Sequence, residues 1–432
     1  MRFNSILMIF VFLFARQIFP EDYIKVKTTW VDYNLPKDSG DFYFINNVWC
    51  ITDATIDALL AGFGLEEISK RQEFVPKEIN DGAAAYSGYP ISVKKEYYYY
   101  YPWDIVLSIP AHEVGHNLGA EFQFPGNHSW QNFDSIFHHG MWIVDFYVPL
   151  IIQKKLSSLP LSSIAKVSLN SWIQDRINGF GESSKNWENW LSQGGNIDNF
   201  PGDKTKPFQG LIFNLNRDFG PSSIEIVMRG LIKDRLPYSF NDHNLNEKQK
   251  IALLFALIAS AIPNESKREA YLNGWIYDKD FYNQIFPEIS KAIKSWPKFK
   301  KISTQSVVNF SGYTPQKSVT IKNLENSFLA LNNSKINLGN KNKSINLFIK
   351  TNGDYVILYA KDLIQALNIE KSAPRVELSP IQSGWYSAQW EILKKDNRIQ
   401  FKNRWNGQYL VAEKDGIFTS SEPQDWIIEE TN

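Results

Sequence analysis

The chain has 432 residues, with 46 basic and 46 acidic side chains and a single cysteine, Cys50. Balanced charge gives no reason to expect nucleic acid or an anionic membrane as partner, and one cysteine excludes an intramolecular disulfide. The length suits two or three domains, and 14 Trp, 20 Tyr and 29 Phe can furnish large cores or carbohydrate-stacking surfaces.

Arg2 and the unbroken apolar run at residues 6–14 read as a secretory signal within residues 1–20, too short to span a bilayer. The apolar run at residues 251–262 is only of helix length, so a soluble, exported protein is expected. Export without disulfides favours a bacterial protein over an animal extracellular one.

Residues 80–91 place small side chains ahead of Gly88-Tyr89-Pro90-Ile91. Proline lacks a ladder donor, so an extended edge segment fits. Taken by itself, the stretch favours an ordinary turn before the tyrosines at 97–101.

The next stretch, His112-Glu113-Val114-Gly115-His116, has metal-ligand spacing. On a helix, residues i and i+4 share a face, so both imidazoles can meet one metal ion. Glu113 lies on the adjoining face, placed to act as general base toward an attacking water. Ser108 is predicted to cap the helix, Pro110 to sit in its first turn and Gly119 to end it.

Gly88-Tyr89-Pro90-Ile91, some twenty residues ahead of His112-Glu113-Val114-Gly115-His116-Asn117, resembles the enhancin-type zinc metallopeptidases, which include bacterial mucin-degrading enzymes. The resemblance implies a zincin-like catalytic lobe, Zn2+ as cofactor and a peptide-binding edge strand. In that family a Trp/Phe-Pro-Gly loop follows the helix, and a second helix supplies a glutamate ligand in the pattern Glu-x-x-x-Asn-x-x-Ser. Phe124-Pro125-Gly126 matches the loop, and Asn132 and Ser135 fall in register, but His128 stands at the glutamate position. Imidazole is an equally good zinc ligand, so the resemblance implies metal ligands His112, His116 and His128, with Glu113 catalytic. His138, His139 and Glu121 remain alternatives for the third ligand. A metzincin would need histidine at position 122, which is Phe122. Only some sixty residues precede Gly88 after the signal, too few for the β-sandwich that the family carries ahead of its catalytic lobe.

Downstream, residues 208–220 resemble the family's helix ending in Phe-Gly. Residues 250–262, Leu272-Asn273-Gly274-Trp275 and residues 281–293 continue at helical spacing, so this body is expected to be mainly α. His243 is expected in a polar, exposed loop.

Around Ser295-Trp296-Pro297 helical periodicity gives way to short alternating runs and a threefold repeat. Its first strands are predicted at 319–323, 356–360 and 399–403, its second at 328–331, 364–367 and 408–411, and its closing strands at 347–349, 390–392 and 426–428. Ile321, Leu358 and Phe401 are then equivalent, 37 and 43 residues apart. The repeat resembles a ricin-lectin β-trefoil, in which Gln-x-Trp closes each unit. Gln424-Asp425-Trp426 keeps that spelling and Gln389-Trp390 approximates it.

The expected architecture is α+β and multidomain: a signal peptide at 1–20, a zincin-like metallopeptidase domain with a mainly helical body at 21–300, and an all-β trefoil at 301–432. The expected function is secreted, zinc-dependent hydrolysis of peptide bonds in glycoproteins such as mucins, with a glycan ligand on the trefoil. A second expectation is a non-catalytic, glycan-binding adhesin or toxin component whose peptidase lobe is a relic.

Overall fold

In Tyr23-Ile24-Lys25-Val26-Lys27 and Val31-Asp32-Tyr33-Asn34-Leu35, alternate residues share a face, and that face is apolar and buried. These segments form β1 (Tyr23–Lys27) and β2 (Val31–Pro36). The computed structural model describes residues 23–118, 141–193, 206–232, 235–240, 242, 244–272, 278–296, 308–311, 318–332, 335–352, 354–361, 364–381 and 385–431. The signal segment at 1–20 and His243 lie outside them.

After a short helix, α1 (Gly40–Ile45), comes α2 (Trp49–Phe63), in which every residue except Asp57 is buried. This helix is the crossover that two parallel strands require, here β2 and β3 (Gln72–Lys77). Its acidic residues hold the β1–β2 turn. The Asp53 carboxylate accepts from the backbone N–H groups of Thr29 and Trp30 at 3.2 and 3.4 Å, and Asp57 accepts from Trp30 Nε1 at 2.7 Å.

Two further strands, β4 (Ala85–Tyr86) and β5 (Ile91–Lys94), extend the sheet. β5 runs parallel to β3, whereas β4 is antiparallel to β5 and forms the edge. The sixty residues that are too few for a leading β-sandwich are thus the sheet of the lobe itself.

A one-turn helix, α3 (Tyr97–Tyr100), leads through a π-helical turn at Asp104–Ser108 into α4 (Ile109–Leu118). The body that follows is helical, as expected: α5 (Met141–Lys155), α6 (Ser163–Ser192), α7 (Lys206–Phe219), α8 (Pro221–Gly230), α9 (Glu247–Ser260), α10 (Glu265–Leu272) and α11 (Lys279–Ile293). α5 and α8 pack on α2, α6 lies along α7, and α9 lies along α11. Gly210 permits the α6–α7 approach, because a Cβ there would stand 2.7 Å from the Ser183 carbonyl oxygen. α9 opens on a reciprocal cap, with Asn246 and Gln249 side chains each accepting from the other's backbone N–H at 3.0 Å. Among the described residues no helix is long and apolar enough to cross a membrane.

The first sheet takes one more strand than its periodicity suggests. β6 (Asn309–Ser311) pairs antiparallel with β1, so this sheet ends past residue 300. The boundary expected at 300 follows the loss of helical spacing, which says nothing about a short strand with no buried residue.

Beyond it, twelve strands form a second sheet: β7 (Val319–Asn323), β8 (Phe328–Asn332), β9 (Lys335–Gly339), β10 (Leu347–Asn352), β11 (Tyr355–Ala360), β12 (Gln365–Asn368), β13 (Glu377–Pro380), β14 (Gln389–Lys395), β15 (Arg398–Asn403), β16 (Tyr409–Glu413), β17 (Gly416–Ser420) and β18 (Trp426–Glu430). The pairings β7–β10, β10–β11, β11–β14, β14–β15, β15–β18 and β18–β7 close a ring of six strands. The hairpins β8–β9, β12–β13 and β16–β17 attach to it, one per repeat. The first, second and closing strands of each repeat lie where the sequence places them. The third strands, β9, β13 and β17, are additional.

Ile321, Leu358 and Phe401 are fully buried together inside the ring. Trp390 Nε1 donates to the Leu367 carbonyl at 3.0 Å, and Trp426 Nε1 donates to the Leu410 carbonyl at 2.9 Å. In the first repeat Leu347 takes the tryptophan position, and the equivalent Leu329 carbonyl accepts instead from the Ile345 backbone N–H at 2.8 Å. Each repeat therefore satisfies the same buried acceptor, by a side chain twice and by backbone once. A separate outer patch of this unit, Phe348, Ile357, Tyr359, Ile364 and Ala366, is buried with the core of the first lobe.

Candidate metal centre

Pro110 shapes the entry to the motif helix. It has no N–H for the carbonyl one turn earlier, and the chain winds wider just before it, through the π turn at Asp104–Ser108. Carbonyl groups in that turn find partners on neighbouring elements: Ile105 accepts from Tyr33 Oη at 3.2 Å and Val106 from Thr55 Oγ1 at 3.4 Å. The cap expected at Ser108 is therefore absent, since helix precedes it, and the Gly119 stop lies outside the described residues.

On α4, His112 Nε2 and His116 Nε2 stand 3.1 Å apart. Two nitrogens on one tetrahedral zinc, each at about 2.0–2.1 Å from it, would be separated by roughly 3–3.5 Å. The same spacing suits a hydrogen bond from His116 Nε2–H to His112. Behind His112, both Asp145 carboxylate oxygens lie 3.1 Å from Nδ1. A proton on Nδ1 donated to Asp145 leaves the Nε2 lone pair facing His116, which is the tautomer a metal ligand needs. His112 and His116 are therefore placed as two of a metal ion's ligands could be.

Met141 of α5 lays its terminal methyl against the bare backbone of Gly115, where a Cβ would fall 2.2 Å from Met141 Cε. Asp145 is one turn along α5 from Met141, as His112 is nearly one turn back from Gly115 on α4. The same pair of helices therefore carries both the glycine–methionine contact and the carboxylate–imidazole contact.

Burial disfavours the imidazolium of His112, but the charge of Asp145 and its hydrogen bond outweigh that and raise the pKa. The Glu113 carboxyl, buried on the adjoining face, is also raised, by desolvation above all, which His112 opposes and Asp145 adds to more weakly. A carboxylate held so is a stronger base than one in water.

Asn117 ties this helix to the edge of the sheet. Its Oδ1 accepts from the Gly88 backbone N–H at 2.8 Å, and its Nδ2 donates to the Gly88 carbonyl at 2.8 Å and to Gln72 Oε1 at 2.7 Å. Gly88 has φ +137°, a conformation that disfavours any side chain, and the following Tyr89–Pro90 bond is cis. Gly88-Tyr89-Pro90 is thus a turn clamped to the helix, and the edge strand lies just before it in β4, with β5 beginning at Ile91.

His112 and His116 bring their Nε2 atoms together, and Glu113 is buried on the adjoining face. His128, His138, His139 and Glu121 lie outside the described residues, as do Phe124-Pro125-Gly126, Asn132 and Ser135. Among the described residues no set of three His, Cys, Asp or Glu side chains converges as a metal-holding group. Sequence reasoning missed Asp145. Its signal was present, because Asp145 is the single charged residue in the apolar stretch 141–152.

No family model matches the chain, and no curated protein matches it. The solved structures that resemble part of it include the following three. The GlcNAcα1-4Gal-releasing endo-β-galactosidase from Clostridium perfringens is 22% identical over 27% of this chain and 33% of its own, with a TM-score of 0.25. The chain thus spans about a third of that enzyme. SeviL, bound to asialo-GM1 saccharide, is 12% identical over 27% of this chain and 100% of its own, with a TM-score of 0.23. A Polyporus squamosus lectin bound to a human-type influenza-binding epitope is 11% identical over 27% of this chain and 50% of its own, with a TM-score of 0.24. Likeness at these scores establishes nothing about what this chain binds or does.

Proposed function

We propose that the chain is a secreted, zinc-dependent endopeptidase that hydrolyses peptide bonds in glycoproteins such as mucins, and that its twelve-stranded unit is a ricin-lectin-like β-trefoil. The observation that carries the reading is the pair of imidazole nitrogens 3.1 Å apart, with Asp145 behind one of them and Glu113 buried beside it. His112 and His116, with His128 as third ligand, would hold the zinc. When bound, the metal supplies Lewis-acid polarisation of the scissile carbonyl and acidifies water at an open position.

The protein's own groups do the remainder. Asp145 accepts the Nδ1 proton of His112 and keeps its ring oriented. Glu113 takes a proton from the attacking water and returns it to the leaving amine, a role favoured by its raised pKa. The edge strand β4, beside α4, offers a peptide backbone a place to add as a further strand. Six ring strands with one hairpin per repeat support the trefoil assignment, and such a unit would retain the enzyme on glycan.

The test is metal content and cleavage together. Purified protein should hold stoichiometric zinc and cleave a mucin glycopeptide. Glu113→Gln should keep the zinc while the rate falls by about 10²–10⁴. Protein without zinc or cleavage that still binds glycan would replace this reading with that of a binding protein carrying a relic lobe.

A further inference from the structure

The first lobe and the twelve-stranded unit meet around a cavity of about 660 Å³ that the metal centre does not use. Its walls come from the tyrosine run ahead of α4, from α6 and from the second sheet. Tyr97, Tyr101 and Trp172 of the first lobe face the same space as Trp385 of the second unit. The volume falls within the roughly 300–1,000 Å³ typical of small-ligand sites.

The charges around it are arranged in a particular way. Arg176 Nη2 donates to Asp104 Oδ1 at 2.6 Å, and its guanidinium lies 4.4 Å from the centre of the Trp172 ring. Lys350 Nζ donates to the Tyr99 carbonyl at 3.3 Å. Arg176 is thus matched by a carboxylate and Lys350 by a neutral carbonyl, and Asp41 and Asp175 add two more carboxylates to the lining, the second of them exposed. With three carboxylates against two cations in its walls the cavity disfavours an anionic ligand, and a wholly apolar one would cover the Asp175 carboxylate and offer it no hydrogen bond. A sugar suits both features: its C–H face lies flat on aromatic rings, and its hydroxyls donate to carboxylate oxygens.

We propose that this interlobe cavity binds a short, neutral oligosaccharide. Asp104 opens the π turn that runs directly into α4, so the sugar would sit near the entry to the metal helix. The proposal deepens the glycoprotein reading and rests on it only for the idea that the sugar belongs to a substrate. Both lobes contribute walls, so the site exists only when they are docked.

Titration calorimetry on the full chain in EDTA tests it, with N-acetyllactosamine and diacetylchitobiose as neutral probes and sialyllactose as the anionic one. At least one neutral probe should bind saturably and more tightly than sialyllactose. Tyr101→Ala, Trp172→Ala and Asp175→Asn should each weaken it by about tenfold or more, with unchanged circular dichroism. Tyr101 and Asp175 are exposed, so the test survives if Trp172→Ala fails to fold. Glu113→Gln should bind sugar as the native chain does, so loss of peptidase activity and loss of this site are separable. No binding of a neutral probe, tighter binding of sialyllactose, or full binding by the Tyr101 and Asp175 variants would each overturn the proposal. The last result would move the sugar to the outer face of the twelve-stranded unit.

Discussion

Asp145 grips His112 symmetrically, with each carboxylate oxygen 3.1 Å from Nδ1. Two helices separated by more than twenty residues are thereby joined at the motif itself. Asp145→Asn should lower zinc affinity by about 10–100-fold, since the imidazole loses both its orientation and part of its basicity. Competition with a fluorescent chelator measures this, and unchanged affinity would remove Asp145 from the centre.

The same pair sets a pH dependence in metal-free protein. The folded pKa of His112 is raised above its ordinary 6.5. Its pairing with Asp145 therefore stabilises the fold fully below about 6.5 and ceases to do so as pH rises through the raised value. Melting temperature in EDTA should fall over that window in the native chain, and Asp145→Asn should lack that component of the fall. Zinc reverses the preference, because it needs the neutral ring, so metal binding should strengthen with rising pH.

Gly115→Ala places a methyl group 2.2 Å from Met141 Cε. Met141 Cε is the free end of a flexible side chain, so overpacking should cost about 1 kcal/mol if it turns aside and up to about 3 kcal/mol if its buried surroundings hold it, offset by roughly 1 kcal/mol of better helix propensity. Urea unfolding reads the net loss. Zinc affinity should fall as well, because α5 carries Asp145. A variant as stable and as zinc-avid as the native chain would show that α4 and α5 are not held by this contact.

Asn117→Ala removes three hydrogen bonds, two of them to the Gly88 peptide, and leaves the buried Gln72 without one partner. The expected loss is about 2–4 kcal/mol. Asn117→Asp keeps the acceptor for the Gly88 N–H but turns oxygen toward the Gly88 and Gln72 oxygens, so it should be no less damaging. Faster proteolytic nicking near residues 87–90 in both variants is the second readout.

Trp390→Phe and Trp426→Phe each delete the donor to a buried carbonyl, of Leu367 and Leu410 respectively. Each should cost about 2–4 kcal/mol, through the orphaned acceptor and the space left by the smaller ring. Because the positions are related by the repeat, the two losses should agree within about 1 kcal/mol. A large difference would mean that the repeats do not bear load equally.

Sequence alone was enough wherever the governing interaction is local or repeated. His112 and His116 meet because four residues make about one helical turn, whatever surrounds them. Three of the four strands in each repeat were legible, because alternation and spacing recur at Ile321, Leu358 and Phe401. The third strands were not. Glu377-Leu378-Ser379-Pro380, for example, carries no run of apolar residues, and β13 exists because β12 offers it a partner. Tertiary contact likewise decided the start of the motif helix, where Tyr33 and Thr55 supply partners in the π turn and Ser108 does not act as a cap. It also decided the clamp on Gly88, the meeting of Asp145 with His112, the late strand β6 and the closure of the six-stranded ring. Each of these joins groups far apart in the chain, and their pairing depends on which faces pack together, a choice that no local pattern encodes.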